Sequence, residues 1–374
     1  MTHLLVTNDF PPKTGGIQSY LYELWRRLDP QRFVVVTHED ATATAFDASV
    51  PFRVVRLPGK MLLPTSRLRR QIDAVAREFE AGLVLLDPAL PVGAIGPSLE
   101  LPYGLVLHGA EVTVPGHIPG LSALLGHTIE RASLIVAAGG YPLAEARRVT
   151  RQMPDVVVVP PGVDAARFRP LSDDERADGR RRFGLPADGR LVVSLSRLVP
   201  RKGMDVLIEV AATLSARYPD LTVAIGGTGR DEARLKRLIA RLSAPVAMLG
   251  YIADADLPLL TGAADVWAML CRDRWLGLEQ EGFGIVFLEA AAAGVAVLAG
   301  RSGGAGDAVL DGVTGLVVDR PGDVVPATVA LRALLDDSSY RARLTTAART
   351  RAVDEFDQGK LALRLSEALA IHGG

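Results

Sequence analysis

Pro160-Pro161-Gly162-Val163-Asp164-Ala165-Ala166-Arg167-Phe168-Arg169-Pro170 divides this chain into two similar halves. Prolines at both ends fix φ, withhold amide donors and push the preceding residue away from helical dihedrals. The stretch therefore reads as a stiff, non-helical connector. On its N-terminal side, short apolar runs suited to strands fall at 3–7, 33–37, 53–56, 83–86, 103–107, 134–138 and 156–159. Between the first two, Ile17, Tyr20, Leu21, Leu24, Trp25 and Leu28 repeat at helical spacing. On its C-terminal side, strand runs fall at 191–195, 221–225, 246–249, 266–269, 295–299 and 315–318. Helical patterns at 202–216, 231–242 and 284–293 separate some of them. Such alternation predicts an α/β fold built on parallel sheets. We expect two Rossmann-like, doubly wound domains facing across a cleft, over residues 1–166 and 167–356. A last helix at 357–371, with Leu361, Leu365 and Leu369 on one face, is expected to return to the first domain.

With 374 residues, the chain is long enough for two sizeable cores. Its formal net charge of −1 gives no global argument for binding nucleic acid. The single cysteine, Cys271, cannot form an internal disulfide, which points to a reducing, cytoplasmic setting. The first six residues make too short an apolar run for a signal peptide and lack a basic start. No apolar run reaches the roughly 20 residues needed to span a bilayer, so any membrane contact is expected to be peripheral.

Chemistry concentrates in Glu281-Gly282-Phe283-Gly284-Ile285-Val286-Phe287-Leu288-Glu289. The amides of Gly284, Ile285 and Val286 open a predicted helix, where free N–H groups and the helix dipole favour an anion. Glu289 lies within an apolar run, and a buried carboxylate is costly unless something binds it. A helix cap and a tolerated polar residue would explain either glutamate alone. The pair in this glycine setting points to a polar, phosphorylated ligand.

Other candidates lie at predicted strand ends. Gly15-Gly16 opens a helix and would let backbone approach a phosphate, although the Gly-x-Gly-x-x-Gly spacing of dinucleotide sites is missing. His108-Gly109 follows the strand at 103–107; the histidine is either a structural hydrogen-bonder or a ligand group. Arg197, Arg201 and Lys202 place three cations at a strand-to-helix junction, where a departing pyrophosphate needs positive charge. Gly226-Gly227-Thr228-Gly229 is a tight turn beside ligand or simply a turn.

Together these residues resemble the retaining glycosyltransferases of family 4, which have the GT-B fold. The likeness spans nearly the whole chain through Gly15-Gly16-Ile17, His108-Gly109, Pro161-Gly162-Val163-Asp164, Arg197 with Lys202, Glu281 with Glu289, and Ser302-Gly303-Gly304. It is strongest to actinobacterial GDP-mannose-dependent mannosyltransferases acting on phosphatidyl-inositol mannosides, and weaker over 107–131 than in the second half. The resemblance implies that Arg197 and Lys202 bind the donor pyrophosphate and that Glu289 takes the ribose hydroxyls. Glu281, with the backbone of Phe283, Gly284, Ile285 and Val286, would hold the donor sugar and phosphate. Ile252 and Asp254 would lie by the base, Gly16 by the donor phosphate, and His108 by the sugar and reacting centre.

The implied activity is transfer of a hexose, mannose from GDP-mannose, to a glycolipid such as a phosphatidyl-inositol mannoside. Retention would follow from a same-face displacement. No cofactor is expected. No metal is expected either, because the basic cluster and helix-start amides can supply the charge and Asp254-Ala255-Asp256 reads as a helix start. Alternatives are transfer from a UDP- or ADP-sugar to a soluble sugar or metabolite, a dinucleotide-dependent oxidoreductase, and a non-catalytic sugar-nucleotide sensor. Lys60, Arg67, Arg69 and Arg70, interleaved with Met61, Leu62 and Leu63, suggest a site for an anionic surface on the inner face of the plasma membrane. The competing reading is a surface helix that turns Leu68 and Ile72 to the core.

Overall fold

The computed structural model describes residues 2–275 and 277–372. Two compact units share the chain. The first runs to Gly162 and resumes at Gln358; the second is Val163–Asp357.

The first unit holds strands β1 (Thr2–Thr7), β2 (Phe33–His38), β3 (Arg53–Leu57), β4 (Ala81–Asp87), β5 (Tyr103–Leu107), β6 (Leu134–Ala137) and β7 (Asp155–Val158). They form one parallel sheet in the order β3-β2-β1-β4-β5-β6-β7. The second unit holds β8 (Arg190–Leu195), β9 (Leu221–Gly226), β10 (Val246–Gly250), β11 (Val266–Met269), β12 (Ala296–Gly300) and β13 (Leu316–Val318). These run parallel in the order β10-β9-β8-β11-β12-β13. Every apolar run read as a strand is one. Each unit is doubly wound, and strand order reverses between β1 and β4 and between β8 and β11. Ligands of such sheets gather beyond the carboxyl ends of the strands at these reversals.

Burial on both faces explains why the strands are apolar runs rather than alternating patterns. In β1, Leu4 and Val6 enter one core layer and Leu5 the other. Helix Gly16–Trp25 buries Tyr20, Leu21, Leu24 and Trp25 against the Leu5 layer. The final helix, Gln358–His372, adds Leu361, Leu365 and Leu369 to that same layer. Trp25 Nε1 donates to His3 Nε2 at 3.0 Å, and burial pulls the His3 pKa down to about 4, so the ring is a neutral acceptor.

Helix Ser66–Glu78 turns one face to the core, as the competing reading of the basic segment expects. Thr65 caps it by accepting from the Leu68 amide, and Leu68, Ile72, Val75 and Ala76 face the core. Arg69 turns along the helix to pair with Asp73 at 3.2 Å, so it is not a free surface cation. Lys60, Arg67 and Arg70 remain exposed, as do Met61 and Leu63. Among the described residues no helix is long and apolar enough to cross a membrane.

Candidate active site

In the first unit, polar residues meet at the sheet reversal. Thr7 and Asp87 end the neighbouring strands β1 and β4 and sit in register. Thr7 Oγ1 donates to Asp87 Oδ2 at 2.6 Å, and His108 Nε2 donates to Asp87 Oδ1 at 2.6 Å. Burial would lower the His108 pKa. The Asp87 carboxylate opposes this, aided by Glu111 and Asp9, and the net shift is upward. His108 is thus held as a cation over a wider pH range than a free histidine. Its ring packs edge-on against Tyr20, whose hydroxyl donates to Val159 O at 2.7 Å. With Nε2 committed to Asp87, Nδ1 is the nitrogen left to meet a ligand.

Gly109 has φ 149° and leads into helix Ala110–Gly116, where Glu111 accepts from the amides of His108 and Gly109. Gly16 is the first residue of its helix, and a methyl added there would meet nothing within 4 Å. Neither packing nor a left-handed φ demands glycine at that position. Asp9 lies near this turn and accepts from Lys13 and Gln18.

The second unit carries the larger cluster. After β8, the chain makes a short turn over Pro200–Lys202 and reaches Gly203 at φ 70°. A methyl on Gly203 would sit 1.9 Å from Leu270 O, so the backbone approach itself requires glycine. That approach drives Lys202 inward. Lys202 is 8% exposed and Glu281 7% exposed, and Lys202 Nζ donates to Glu281 Oε2 at 2.6 Å. Arg201 Nη1 donates to the same oxygen at 2.8 Å. Burial would raise the Glu281 pKa, but Lys202 and Arg201 outweigh it and hold the group ionised below the usual range. Two cations on one carboxylate leave a local excess of positive charge.

The loop holding Glu281 is fixed from behind. Its amide donates to Ser302 Oγ at 3.0 Å, and Ser302 Oγ donates to Asp273 Oδ1 at 2.7 Å. Gly303 and Gly304 press against the carbonyls of Glu281 and Gly282, where a methyl would lie 2.2 and 2.1 Å away. Phe283 is buried against Phe356. Gly284, at φ 88°, then caps helix Ile285–Ala292; the Phe287 amide donates back to Gly284 O at 2.9 Å, and the amides of Ile285 and Val286 lie ahead of that first bond.

Glu289 lies one turn into that helix. Burial pushes its pKa up to about 7; Arg167 pulls it down and Asp254 pushes it up. Arg167 and Asp254 pair with each other at 2.8 Å. Ile252 is partly buried and packs on the core, close to where a side chain at Gly226 would fall. Arg197 is exposed and has no side-chain partner among the described residues.

The fold therefore brings Lys202 to Glu281, and Asp254 and Arg167 into the field of Glu289. It sets His108 on Asp87 in the other unit. Arg167 and Asp87 were not singled out as site residues from the sequence, whereas Arg201 was read there as one of three cations at the strand-to-helix junction. The Gly226–Gly229 turn has a packing origin: a methyl on Gly227 would sit 1.9 Å from Ser196 O, and one on Gly229 2.3 Å from Leu198 O.

Two doubly wound parallel sheets, with a basic cluster and an open helix start at a strand-order reversal, define a glycosyltransferase of the GT-B type. The chain belongs to the group 1 glycosyltransferases. The family described as "Glycosyl transferases group 1" matches residues 175–351, within the second unit. Over 98% of its length the chain is 35% identical to a GDP-mannose-dependent monoacylated alpha-(1-6)-phosphatidylinositol monomannoside mannosyltransferase of Corynebacterium glutamicum, covering 97% of that protein. It is 38% identical to the GDP-mannose-dependent alpha-(1-6)-phosphatidylinositol monomannoside mannosyltransferase of Mycolicibacterium smegmatis, covering 98% of each chain. The crystal structure of Anabaena HepE in complex with UDP superposes with a TM-score of 0.84 at 23% identity, over 99% of this chain and 100% of that one, and shares the fold.

Proposed function

We propose that this protein transfers a mannosyl residue from GDP-mannose to a phosphatidylinositol mannoside, with retention at the anomeric carbon. The observation that carries this reading is the full-length 38% identity to a mannosyltransferase so described. The second unit supplies the charge that the chemistry needs. As the sugar–phosphate bond breaks, the GDP oxygen gains negative charge. Lys202, Arg201 and Arg197 would stabilise it as preorganised donors, helped by the amides at the start of helix Ile285–Ala292. With this charge supplied by side chains, no divalent metal is needed, and activity should survive a chelator.

In this reading Glu289 accepts from the ribose hydroxyls. Its raised pKa makes it a neutral or ionised group near pH 7, and two hydroxyl donors would favour the ionised form. Asp254 and Ile252 would border the base. Glu281 would orient the sugar while serving as counter-ion to Lys202. Gly16 would admit the donor phosphate, and His108 would present Nδ1 to a sugar hydroxyl. The acceptor hydroxyl attacks from the face the phosphate leaves, and its proton passes to the departing phosphate oxygen.

Lys60, Arg67 and Arg70, beside Met61 and Leu63, would rest on anionic lipid at the inner face of the plasma membrane, where each cation contributes about 1 kcal/mol. A donor screen tests the reading. GDP-mannose should be consumed in the presence of phosphatidylinositol mannoside, with GDP-, UDP- and ADP-glucose far slower. Preference for a UDP- or ADP-sugar would reject the donor assignment.

A further inference from the structure

The first unit carries an open apolar groove of about 360 Å³ that the proposed chemistry does not use. Leu90 and Ala94 form one wall, Val114 and Pro115 a second, and Leu121 and Leu124 a third. Leu121 and Leu124 are 42% and 40% exposed, and nearby Ile118 is 43% exposed. Exposed apolar side chains that share a concave surface mark a place where something apolar docks.

The groove offers little to a polar ligand. Its one charged lining residue is Glu111, whose carboxylate already accepts from the amides of His108 and Gly109. The other lining side chains have no polar atom to present. The groove borders the polar cluster at the sheet reversal through Glu111, which lines it and accepts from the His108 amide at 2.6 Å. Leu90 lies three residues beyond Asp87, and Ala110 two residues beyond His108, the pair joined at 2.6 Å. A molecule with a sugar at His108 and an apolar tail would place that tail here.

We infer that this groove holds a fatty acyl chain of the glycolipid acceptor. The inference rests on the glycolipid reading above and adds a determinant of acceptor choice. A linear chain can fill a narrow, open groove progressively, and each methylene taken from water is worth about fourfold in affinity. The site should therefore discriminate between acylated and deacylated acceptors bearing the same sugar.

The test compares two soluble acceptors: a phosphatidylinositol mannoside with two hexanoyl chains, and its fully deacylated form. Both stay dispersed in water, so vesicle binding plays no part. Ala94→Trp fills the groove, and Leu124→Asp places a charge on an exposed wall where folding is little affected. Both variants should lower kcat/KM for the hexanoyl acceptor about tenfold or more. The deacylated acceptor's kcat/KM and the Kd for GDP-mannose should stay within twofold. Equal losses on both acceptors would show a disturbed His108–Asp87 cluster and overturn the inference; so would no loss on either. Wild-type protein that uses both acceptors equally well would also overturn it, while leaving the mannosyl reading intact. No transfer to either acceptor would overturn both. A wild-type dimer that Leu124→Asp dissociates would make a second copy of the chain the occupant, and the acyl assignment would fall.

Discussion

Replacing Lys202 by Met removes one buried charge and keeps most of the side-chain volume. In the folded protein, Lys202 Nζ lies 2.6 Å from Glu281 Oε2, and both groups are under a tenth exposed. Breaking a buried pair from one side costs about 3–5 kcal/mol. Arg201 remains 2.8 Å from the same oxygen, so the lower figure, about 3 kcal/mol, is expected for folding. Turnover should fall for a second reason. Loss of one preorganised donor to a developing oxyanion costs about 3 kcal/mol, roughly a hundredfold in rate. The double variant Lys202→Met, Glu281→Gln separates the two effects. Without the half-paired carboxylate, stability should recover in part, by about 1 kcal/mol, because Arg201 then faces a neutral amide. Turnover should not recover with stability, and should fall below the single variant's level because Glu281 also orients the sugar. The assays are urea unfolding for stability and kcat/KM for mannosyl transfer. Near-normal turnover in Lys202→Met would refute the leaving-group role. Equal stability of the single and double variants would refute the coupling.

Glu289, raised by burial from 4.5 to about 7, keeps its proton in the folded state while the unfolded chain loses it. Its stabilising contribution is complete below about pH 4.5 and lost as pH rises through about 7, at most on the order of 3 kcal/mol, so Glu289→Gln should flatten the nucleotide-free stability profile across that window; an unchanged slope would show the group ionised in the folded protein. Leu361→Ala should destabilise the first unit by about 3 kcal/mol, because it opens a cavity where the last helix meets the Leu5 layer, and a loss under 1 kcal/mol in urea unfolding would show a loosely docked helix. Changing Lys60, Arg67 and Arg70 together to Ser should lower partitioning onto phosphatidylinositol vesicles about a hundredfold at low salt, leaving GDP affinity unchanged; wild-type protein that does not sediment with such vesicles would remove the surface.

The fold was largely legible because both sheets are parallel and buried on both faces. A strand such as β5, Tyr103–Leu107, is then an unbroken apolar run that no surface helix imitates. Glu289 was legible for the opposite reason, as a carboxylate within such a run. Partnerships were not legible. Glu281 and Lys202 are 79 residues apart, and which of three neighbouring cations turns inward depends on how closely Gly203 approaches Leu270. Asp87 escaped notice because it is the last residue of an otherwise apolar strand. Its link to His108 exists only because β4 and β5 are neighbours in the sheet. Arg69 looked like one of four equivalent surface cations until helix geometry set it beside Asp73, four residues on.

Mannosyl transfer from GDP-mannose with retention leaves its record in the product's anomeric centre, which NMR reads. Purified protein, GDP-mannose and phosphatidylinositol monomannoside should yield a dimannoside whose new anomeric proton and carbon show the α configuration, with one GDP released per linkage. A β-linked product would contradict the same-face displacement, and no product from GDP-mannose alongside product from another sugar nucleotide would contradict the donor.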